Sequence, residues 1–520
     1  MSYLSGNFPN SMVAVPVNIG DVIGVIKSLK NKTTSIHNIS VKVIKENCHL
    51  LAPALKLLYN QSISTGIFPT YLKNALVIPL HKNNSKTEKN NYRPISLLNI
   101  FSKIFEKLMA KSLNKYLTDH NIIHPSQYGF QSNKSTHLAL KEFSSFLHKN
   151  LDQSKHVLSI FIDYSKAFDT VSHSILLKKL HHYGVRGNVL HWFESYLSNR
   201  TQCTIIHGVK STPCAVNSGV PQGSVLGPIL FLLYINDLPN ISKLFKYILY
   251  ADDSNLFLSH SSPTHLISLA NSELHKLYYW CTANRLSLNL SKSFCMIFSN
   301  KGITDILPPL LIKHSFEYHS IAKVDHIKFL GIIYDDKLTF KYHTLHLTNK
   351  LSHIASMLLQ LRDFVPNFIL KILYYAHVHS SLSYCNTIWG STSQSHLQSL
   401  ILMQKRIIRI ITNSHFLEHT RPLFKASKIL TITDLNKFNN IYEFFSKNIP
   451  LNDGNNHNRH NYRTRNRNVY QPPRSRTRLY DMSFLHLSPL YYSQLPIHLR
   501  SINSPFKFKK ELKEHFLTQY

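Results

Sequence analysis

Two adjacent carboxylates, Asp252 and Asp253, lie between the short apolar runs 247–249 and 256–258. Alternation of apolar and polar residues on both sides predicts two strands joined by a tight turn with the aspartates at its tip. Two negative charges in such a turn repel each other unless a cation offsets them. A solvated acidic turn is the alternative interpretation, because Asp forms turns through its own hydrogen bonds.

A third carboxylate, Asp163, follows the apolar run 157–162, which is typical of a buried strand. Mg²⁺ prefers carboxylate and phosphate oxygens, and two ions about 4 Å apart can activate a 3′-hydroxyl and stabilise a leaving pyrophosphate. The chain has few acidic residues, so three carboxylates at strand ends are hard to explain as charges that only keep the protein soluble. The spacing therefore favours a two-metal site.

The composition indicates a polyanionic partner. The chain has 520 residues, enough for several structural units, with 59 Lys plus Arg against 27 Asp plus Glu. Nucleic acid is the leading candidate, because neutralising phosphates releases counterions. An anionic membrane is the other, but no run reaches the ~18 apolar residues of a spanning helix, and residues 1–5 do not begin a signal peptide. We expect a soluble, intracellular protein.

The cysteines and histidines indicate no metal site or disulfide framework. The six cysteines are scattered without the close pairs that zinc sites use, and they support no disulfide framework. The 32 histidines show no ligand pattern, so none is assigned a role.

A predicted amphipathic helix over residues 97–117 carries one basic row. Like charges at this spacing repel by a few tenths of a kcal/mol per pair, and only Glu106 partly relieves them. A solvated lysine face is one interpretation, and contact with a phosphate backbone is the other. The row consists of Lys103, Lys107, Lys111 and Lys115.

Beyond Lys337 the periodicity predicts helix after helix, typical of a separate all-helical module. Residues 452–478 then lose apolar side chains and gain arginines with interleaved tyrosines, among them Arg463, Arg465 and Arg467. Such a segment is suited to fold on RNA or DNA, and a nuclear-import signal is the competing interpretation.

Three stretches, residues 161–169 (FIDYSKAFD), 219–228 (GVPQGSVLGP) and 250–253 (YADD), resemble the palm motifs A, B and C of reverse transcriptases. Their amino-acid sequences are similar to those of non-LTR (LINE-type, Jockey-like) retrotransposons. Further likeness, to the fingers and to motifs D and E, is found at residues 91–98, 127–130, 288–292 and 329–331.

The resemblance implies roles for the acidic residues. Asp163 and Asp252 match the metal ligands, with Asp253 beside them as a third carboxylate. The expected cofactor is a pair of Mg²⁺ ions, for which Mn²⁺ can substitute. Lys292 matches the motif D lysine that protonates the leaving pyrophosphate, a general-acid role. On the sequence alone, Lys292 would be interpreted as a surface lysine.

The resemblance also implies a nucleotide site. Phe168 matches the steric gate, a ring under the sugar that selects deoxynucleotides, and a core aromatic is the alternative interpretation. Gln222 matches a residue that touches the incoming nucleotide. Lys82 and Arg93 match the fingers residues that clamp the triphosphate, a role that suits arginine's bidentate fork. Leu330 and Gly331 would lie in the primer grip.

The implied fold class is α+β, a right-hand polymerase. Its fingers and palm would be an antiparallel sheet packed on helices, followed by an all-helical thumb and a basic C-terminal segment. We expect a helical N-terminal extension over residues 1–61 and the reverse transcriptase domain over 62–335. The helical thumb and connection would follow over 336–450, and the arginine-rich C-terminal segment over 451–520.

The implied activity is RNA-directed DNA synthesis, which extends a DNA 3′ end on an RNA template, by target-primed reverse transcription. The expected partners are the RNA template, the DNA primer or target, and deoxynucleoside triphosphates. As a ribonucleoprotein the protein would reside in the nucleus or the cytoplasm. Residues 1–75 lack the constellation of an endonuclease, so we expect part of a larger polyprotein or a truncated copy. The alternatives are a decayed or domesticated nucleic-acid-binding protein and a maturase-like cellular reverse transcriptase.

Overall fold

The chain folds as a mixture of sheets and helices. A computed structural model describes residues 3–31, 39–82, 85–303, 306–314, 317–448 and 472–520. No helix in these ranges is both long enough and apolar enough to cross a membrane.

The strands of the described residues lie between Asn74 and Asp335 and form two five-stranded sheets and two hairpins. In chain order they are β1 (Asn74–His81), β2 (Tyr92–Leu98), β3 (His156–Ile162), β4 (Arg200–Ile206), β5 (Val209–Lys210), β6 (Cys214–Val216), β7 (Lys246–Tyr250), β8 (Asp253–His260), β9 (Phe294–Phe298), β10 (Leu311–His314), β11 (Glu317–Ser320), β12 (Ala322–Lys323), β13 (His326–Phe329) and β14 (Ile332–Asp335).

Nine helices precede or interleave the strands. They are α1 (Ile19–Lys27), α2 (Val41–Glu46), α3 (Cys48–Thr65), α4 (Ile100–Asp119), α5 (Thr136–Asp152), α6 (His173–His182), α7 (Gly187–Leu197), α8 (Leu226–Ile235) and α9 (Pro263–Ala283). These counts refer to the described ranges only. The predicted helix over 97–117 is therefore α4, and its first residues belong instead to β2.

Past β14, the described residues contain helices and no strand, as the periodicity predicted. The last four helices belong to the stretch predicted as a basic segment. Two of them, α18 (Phe484–Ser493) and α20 (Pro505–Thr518), pack on α16 (Ile432–Asn448). The helices are α10 (Lys341–Leu361), α11 (Asn367–Leu373), α12 (Ser380–Ser383), α13 (Asn386–Trp389), α14 (Gln394–Ile411), α15 (Thr420–Ser427), α16 (Ile432–Asn448), α17 (Arg478–Asp481), α18 (Phe484–Ser493), α19 (Ile497–Arg500) and α20 (Pro505–Thr518).

The central sheet has the order β12-β9-β3-β8-β7, with β3 in the middle. Every residue of β3 is buried, because helices cover both faces of the sheet. Ile160 faces the core that contains α8 and α9, whereas the next residue, Phe161, packs in the core of α5, where its ring centroid lies 6.3 Å from that of Phe143. Burial on both faces explains the unbroken apolar run.

The second sheet runs β2-β1-β4-β5, and β6 also pairs with β4. β1 and β2 form an antiparallel pair in which Leu80 lies opposite Arg93. β1 and β4 are parallel. Ser96 of β2 donates its backbone N–H to the backbone oxygen of Gln222 at 2.7 Å, so this sheet is attached to the loop that carries Gln222.

Glu106 corrects one expectation. From the lysine-rich helix we expected Glu106 to lie on the surface and to reduce the repulsion between its lysine neighbours, but Glu106 is completely buried. Its carboxylate accepts the backbone N–H groups of Val225 at 2.6 Å and Leu226 at 3.3 Å, which begin α8. Burial raises the pKa of Glu106, and the nearby charge of buried Arg200 opposes that rise. Glu106 therefore joins α4 to α8.

We expect Glu106→Ala to lower the free energy of unfolding by about 3 kcal/mol, because it leaves two buried N–H groups without their acceptor and the buried charge of Arg200 without this nearby carboxylate. Urea unfolding followed by tryptophan fluorescence would measure the change. Asn114→Ala, at an exposed site on the same helix, is the matched control and should stay within about 0.5 kcal/mol. Equal midpoints for the Glu106 variant and the wild type would contradict this role.

Candidate active site

Asp163 is the first residue after β3, and three of its atoms are held by one short segment. Asn289 donates its side-chain amide to Oδ2 of Asp163 at 2.9 Å and its backbone N–H to the backbone oxygen at 2.9 Å. The backbone N–H of Asp163 donates to the hydroxyl of Ser293 at 3.2 Å. The segment from Asn289 to Ser293, directly before β9, therefore fixes the orientation of Asp163.

The hairpin β7–β8 carries the other two aspartates. Tyr250 pairs with Asp253, so Ala251 and Asp252 form the turn, and Ala251 adopts a left-handed φ of 57°. Gln127 accepts the N–H of Ala251 at 3.2 Å. Gly129 lies so close that a Cβ there would be 2.4 Å from the nitrogen of Ala251. The stretch containing Gln127 and Gly129 therefore supports the acidic tip, and only glycine fits at position 129.

The strand register brings the three carboxylates together. Ile162 lies opposite Ser254, so Asp163 at the end of β3 is adjacent to the start of β8. Burial raises the pKa of Asp163, and the charge of Asp252 raises it further. Asp253 touches solvent but is crowded by protein, and this desolvation, with the charges of Asp252 and Asp163, raises its pKa to about 6.

Lys82 and Lys292 both act on Asp163 from exposed positions. Lys292 ends a 3₁₀ turn, Leu290–Lys292, directly after Asn289, and Lys82 follows β1. Both positive charges lower the pKa of Asp163. Arg93 is exposed on β2, the strand paired with β1. The two predicted lysines are therefore close enough for their positive charges to stabilise the ionised form of Asp163.

Phe168 and Gln222 lie next to each other. The ring of Phe168 stacks on Phe231, with centroids 4.4 Å apart and an interplanar angle of 24°. Val220 donates its N–H to the backbone oxygen of Phe168 at 2.9 Å. The side chain of Gln222 donates to Oδ1 of Asp169 at 2.9 Å. The turn that follows Asp163 and the loop before α8 therefore form one packed unit.

Leu330 and Gly331 form the turn of the hairpin β13–β14, with φ values of 44° and 90°. The neighbouring Phe329 packs on Phe161 of β3, with ring centroids 5.3 Å apart. Tyr384 donates its hydroxyl to the backbone oxygen of Leu330 at 2.6 Å. The predicted primer grip is thus attached both to the central sheet and to the helical region.

The lysine row meets the N-terminal part of the chain. Lys111 forms an ion pair with Asp21 at 2.8 Å, and Lys107 donates to the hydroxyl of Ser28 at 3.0 Å. Lys103 is half-buried, and Lys115 is exposed. Lys107 and Lys111 therefore have partners within the protein, and contact of the row with phosphates stays a prediction. The predicted nucleic-acid-binding residues Arg463, Arg465 and Arg467 lie outside the described residues.

Sequence reasoning missed three supporting residues, Gln127, Asp169 and Asn289. Each lies inside a stretch that carried the resemblance, but none has a charge pattern or periodicity that marks a role. The available signal was position: Asn289 precedes Lys292 by one turn, and Asp169 directly follows Phe168.

The donor set fits divalent cations. The carboxylates of Asp163, Asp252 and Asp253 repel one another, and a cation would remove that cost. Within the described part of the chain, no group of three or more Asp, Glu, His or Cys side chains could by itself hold a metal ion. Mg²⁺ does not require such a cage, because it is held by one or two carboxylates together with water and substrate phosphates.

Comparison with known proteins identifies the class. Residues 80–334 match the family described as reverse transcriptase (RNA-dependent DNA polymerase). This range contains Asp163, Asp252 and Asp253 together with Lys82, Gln222 and Lys292.

Individual relatives are transposon proteins. The chain is 28% identical, over 82% of its length and 48% of the relative's, to the Drosophila melanogaster protein named "Probable RNA-directed DNA polymerase from transposon BS". It is 26% identical to the RNA-directed DNA polymerase from mobile element jockey of the same species, over 86% and 49% of the two lengths. A Pol polyprotein from retrotransposable element R1 of Bradysia coprophila is 26% identical over 66% and 34%. Residues 80–334 therefore form a reverse transcriptase domain that is similar to those of Jockey-like non-LTR retrotransposons, and the chain spans about half the length of the first two relatives.

The pKa of Asp253 predicts how pH affects stability. Its pKa is about 6 in the folded protein against an ordinary 3.8, so the folded state binds more protons between these values. Stability of the metal-free protein therefore falls as pH rises through this window, and the cost of ionisation is fully present above pH ~6.

We expect Asp253→Asn to raise the melting temperature of the metal-free protein at pH ~7.5, with a gain that shrinks as the pH falls towards ~5. Differential scanning fluorimetry in EDTA would measure it, and added Mg²⁺ should narrow the difference. Asp363→Asn, at an exposed ion pair with Arg362, should show no such pH-dependent gain. A gain that did not change with pH would refute the assignment.

Proposed function

We propose that this chain is an RNA-directed DNA polymerase that extends a DNA 3′ end on an RNA template, by target-primed synthesis. The observation that carries the proposal is the placement of Asp163 beside Asp252 and Asp253 on neighbouring strands. The match of residues 80–334 to the reverse transcriptase family supports it. In the cell the protein would act as a ribonucleoprotein in the nucleus or the cytoplasm.

In this proposal the central sheet is the palm, and the sheet that contains β1 and β2 belongs to the fingers. The helices from α10 to α16 form the thumb and connection. The expected domain boundaries, 1–61, 62–335, 336–450 and 451–520, remain part of the proposal. The hydrogen bond from Tyr384 to Leu330 joins the proposed thumb to the primer grip.

Asp163, Asp252 and Asp253 would hold two Mg²⁺ ions, which supply activation of the primer 3′-hydroxyl and stabilisation of the leaving pyrophosphate. The protein's own residues do the rest. Asn289 keeps one oxygen of Asp163 occupied and thereby orients the other. Lys292, on the turn that follows Asn289, would donate a proton to the leaving pyrophosphate.

The incoming deoxynucleotide would lie between the two sheets. Lys82 and Arg93 clamp its triphosphate from the β1–β2 hairpin, Phe168 lies under its sugar, and Gln222 contacts it from the loop before α8. Stacking on Phe231 holds the ring of Phe168 rigid, which a steric gate requires. The lysine row and Arg463, Arg465 and Arg467 stay predicted contacts for nucleic acid.

We expect Asp163→Asn and Asp252→Asn to lower primer extension about a thousandfold or more, because each substitution removes a charged metal ligand. Extension of a DNA primer on a homopolymer RNA, with and without Mg²⁺, would measure it. Template binding by filter retention should be largely unchanged. Asp119→Asn, at an exposed site at the end of α4, is the control. Substantial synthesis by either mutant would overturn the site.

We expect Phe168→Val to admit ribonucleotides, since the smaller side chain leaves room for a 2′-hydroxyl. The ratio of kcat/KM for deoxynucleotides over ribonucleotides should fall by about tenfold or more. Val171→Ala, a similar loss of volume at a fully buried site in the same segment, controls for a general loosening and should leave the ratio unchanged. The gate would be excluded if sugar discrimination survived in the Phe168 variant.

A further inference from the structure

Asp169 makes a contact that the proposed roles of its neighbours do not use. It directly follows Phe168, and its Oδ1 accepts the side-chain N–H of Gln222 at 2.9 Å, across 53 residues of sequence. Both side chains are half-buried. Burial raises the pKa of Asp169, whereas the bond from Gln222 and the charges of Lys166 and Lys82 lower it.

This contact fixes the direction of the Gln222 amide. An amide has a donor end and an acceptor end, and the two are interchangeable when the partner is another amide or a hydroxyl. An ionised carboxylate only accepts, so Asp169 must receive the NH₂ of Gln222. The carbonyl oxygen of Gln222 is thereby left to meet any ligand.

The backbone around the pair is equally fixed. Gly219 donates its N–H to the oxygen of Val171 at 2.8 Å, and it adopts a φ of 84°. A Cβ at Gly219 would lie 2.7 Å from the backbone oxygen of Asp169. Since Val220 also bonds to Phe168, the Gln222 amide is held at a set position relative to the ring of Phe168.

The donor and acceptor groups of a nucleotide then determine which of them can bind the carbonyl oxygen of Gln222. The triphosphate of a nucleotide carries acceptor oxygens, which a carbonyl oxygen cannot bond. Donors are found on the sugar hydroxyl and on the amino groups of some bases. A polymerase that copies all four bases needs the donor that they share, and that donor is the sugar hydroxyl.

We propose that Asp169 is a positioning residue that presents the carbonyl oxygen of Gln222 to the sugar hydroxyl of the incoming nucleotide. The inference rests on the proposed polymerase function and deepens it by naming the residue that orients Gln222. Asp169 acts through Gln222 and touches no substrate.

Four proteins test this in steady-state primer extension: Asp169→Ala, Gln222→Ala, the double variant and the wild type. Asp169→Ala should raise the KM for each of the four deoxynucleotides about tenfold and change kcat less than about threefold, the effect of one misdirected hydrogen bond. In the Gln222→Ala background, Asp169→Ala should add less than about twofold to KM, because its target is gone.

Asp169→Asn separates orientation from packing. It keeps the size of the side chain, but an amide can both donate and accept, so Gln222 is bound in either direction. Its KM should lie between those of the wild type and Asp169→Ala. Asp119→Ala, at the exposed end of α4, should behave as the wild type.

The outcomes are distinct. A wild-type KM in the Asp169 variants, or an equal KM change with and without Gln222, overturns the inference and leaves the polymerase function in place. A lowered melting temperature with equal losses in both backgrounds shows a structural role only and also overturns it. A wild-type protein that fails to extend any primer overturns the proposed function and the inference together.

Discussion

Mutual repulsion among Asp163, Asp252 and Asp253 is the constraint on which the rest of the structure depends. Burial of these carboxylates at adjoining strand ends, together with their mutual repulsion, disfavours the folded state at neutral pH, as the raised pKa values of Asp163 and Asp253 show. The fold tolerates this cost because the strands that bear them are buried on both faces and paired in a fixed register. An isolated hairpin would not hold such a turn, since two strands alone are marginally stable in water.

Neutral hydrogen bonds, and not ion pairs, hold the acidic residues in place. Asn289 and Ser293 bind Asp163, and Gln127 binds the turn at Ala251. The amide of Asn289 orients the carboxylate of Asp163 without neutralising it, and Ser293 and Gln127 hold the backbone on either side of the site. A close lysine or arginine would instead compete with a metal ion. The choice of neutral partners therefore keeps the negative potential of the site available for cations.

The sequence allowed prediction of β3, the β7–β8 hairpin and the three aspartates, because acids between apolar strands have few structural explanations. It did not reveal Glu106, since an acid in a lysine-rich helix resembles a solvated residue until its helix is placed against α8. Nor could it reveal Asp169 or Gln127, whose partners lie 53 and 124 residues away. Long-range polar contacts leave no periodicity, so they become visible only when the strands are assembled.

The two lysines explain how such a site can accept a substrate of its own sign. Lys82 comes from the end of β1 and Lys292 from the segment before β9, and both offset the charge of Asp163 while staying exposed. In the proposed polymerase, a nucleotide triphosphate bound with metal ions would exchange these partners: the carboxylates would hold the ions and the lysines would turn to the phosphates. The net charge of the site changes little in that exchange, so a highly charged substrate can enter without a large electrostatic penalty. Exposed lysines on separate elements can make this exchange, whereas a buried ion pair could not, because breaking one costs several kcal/mol.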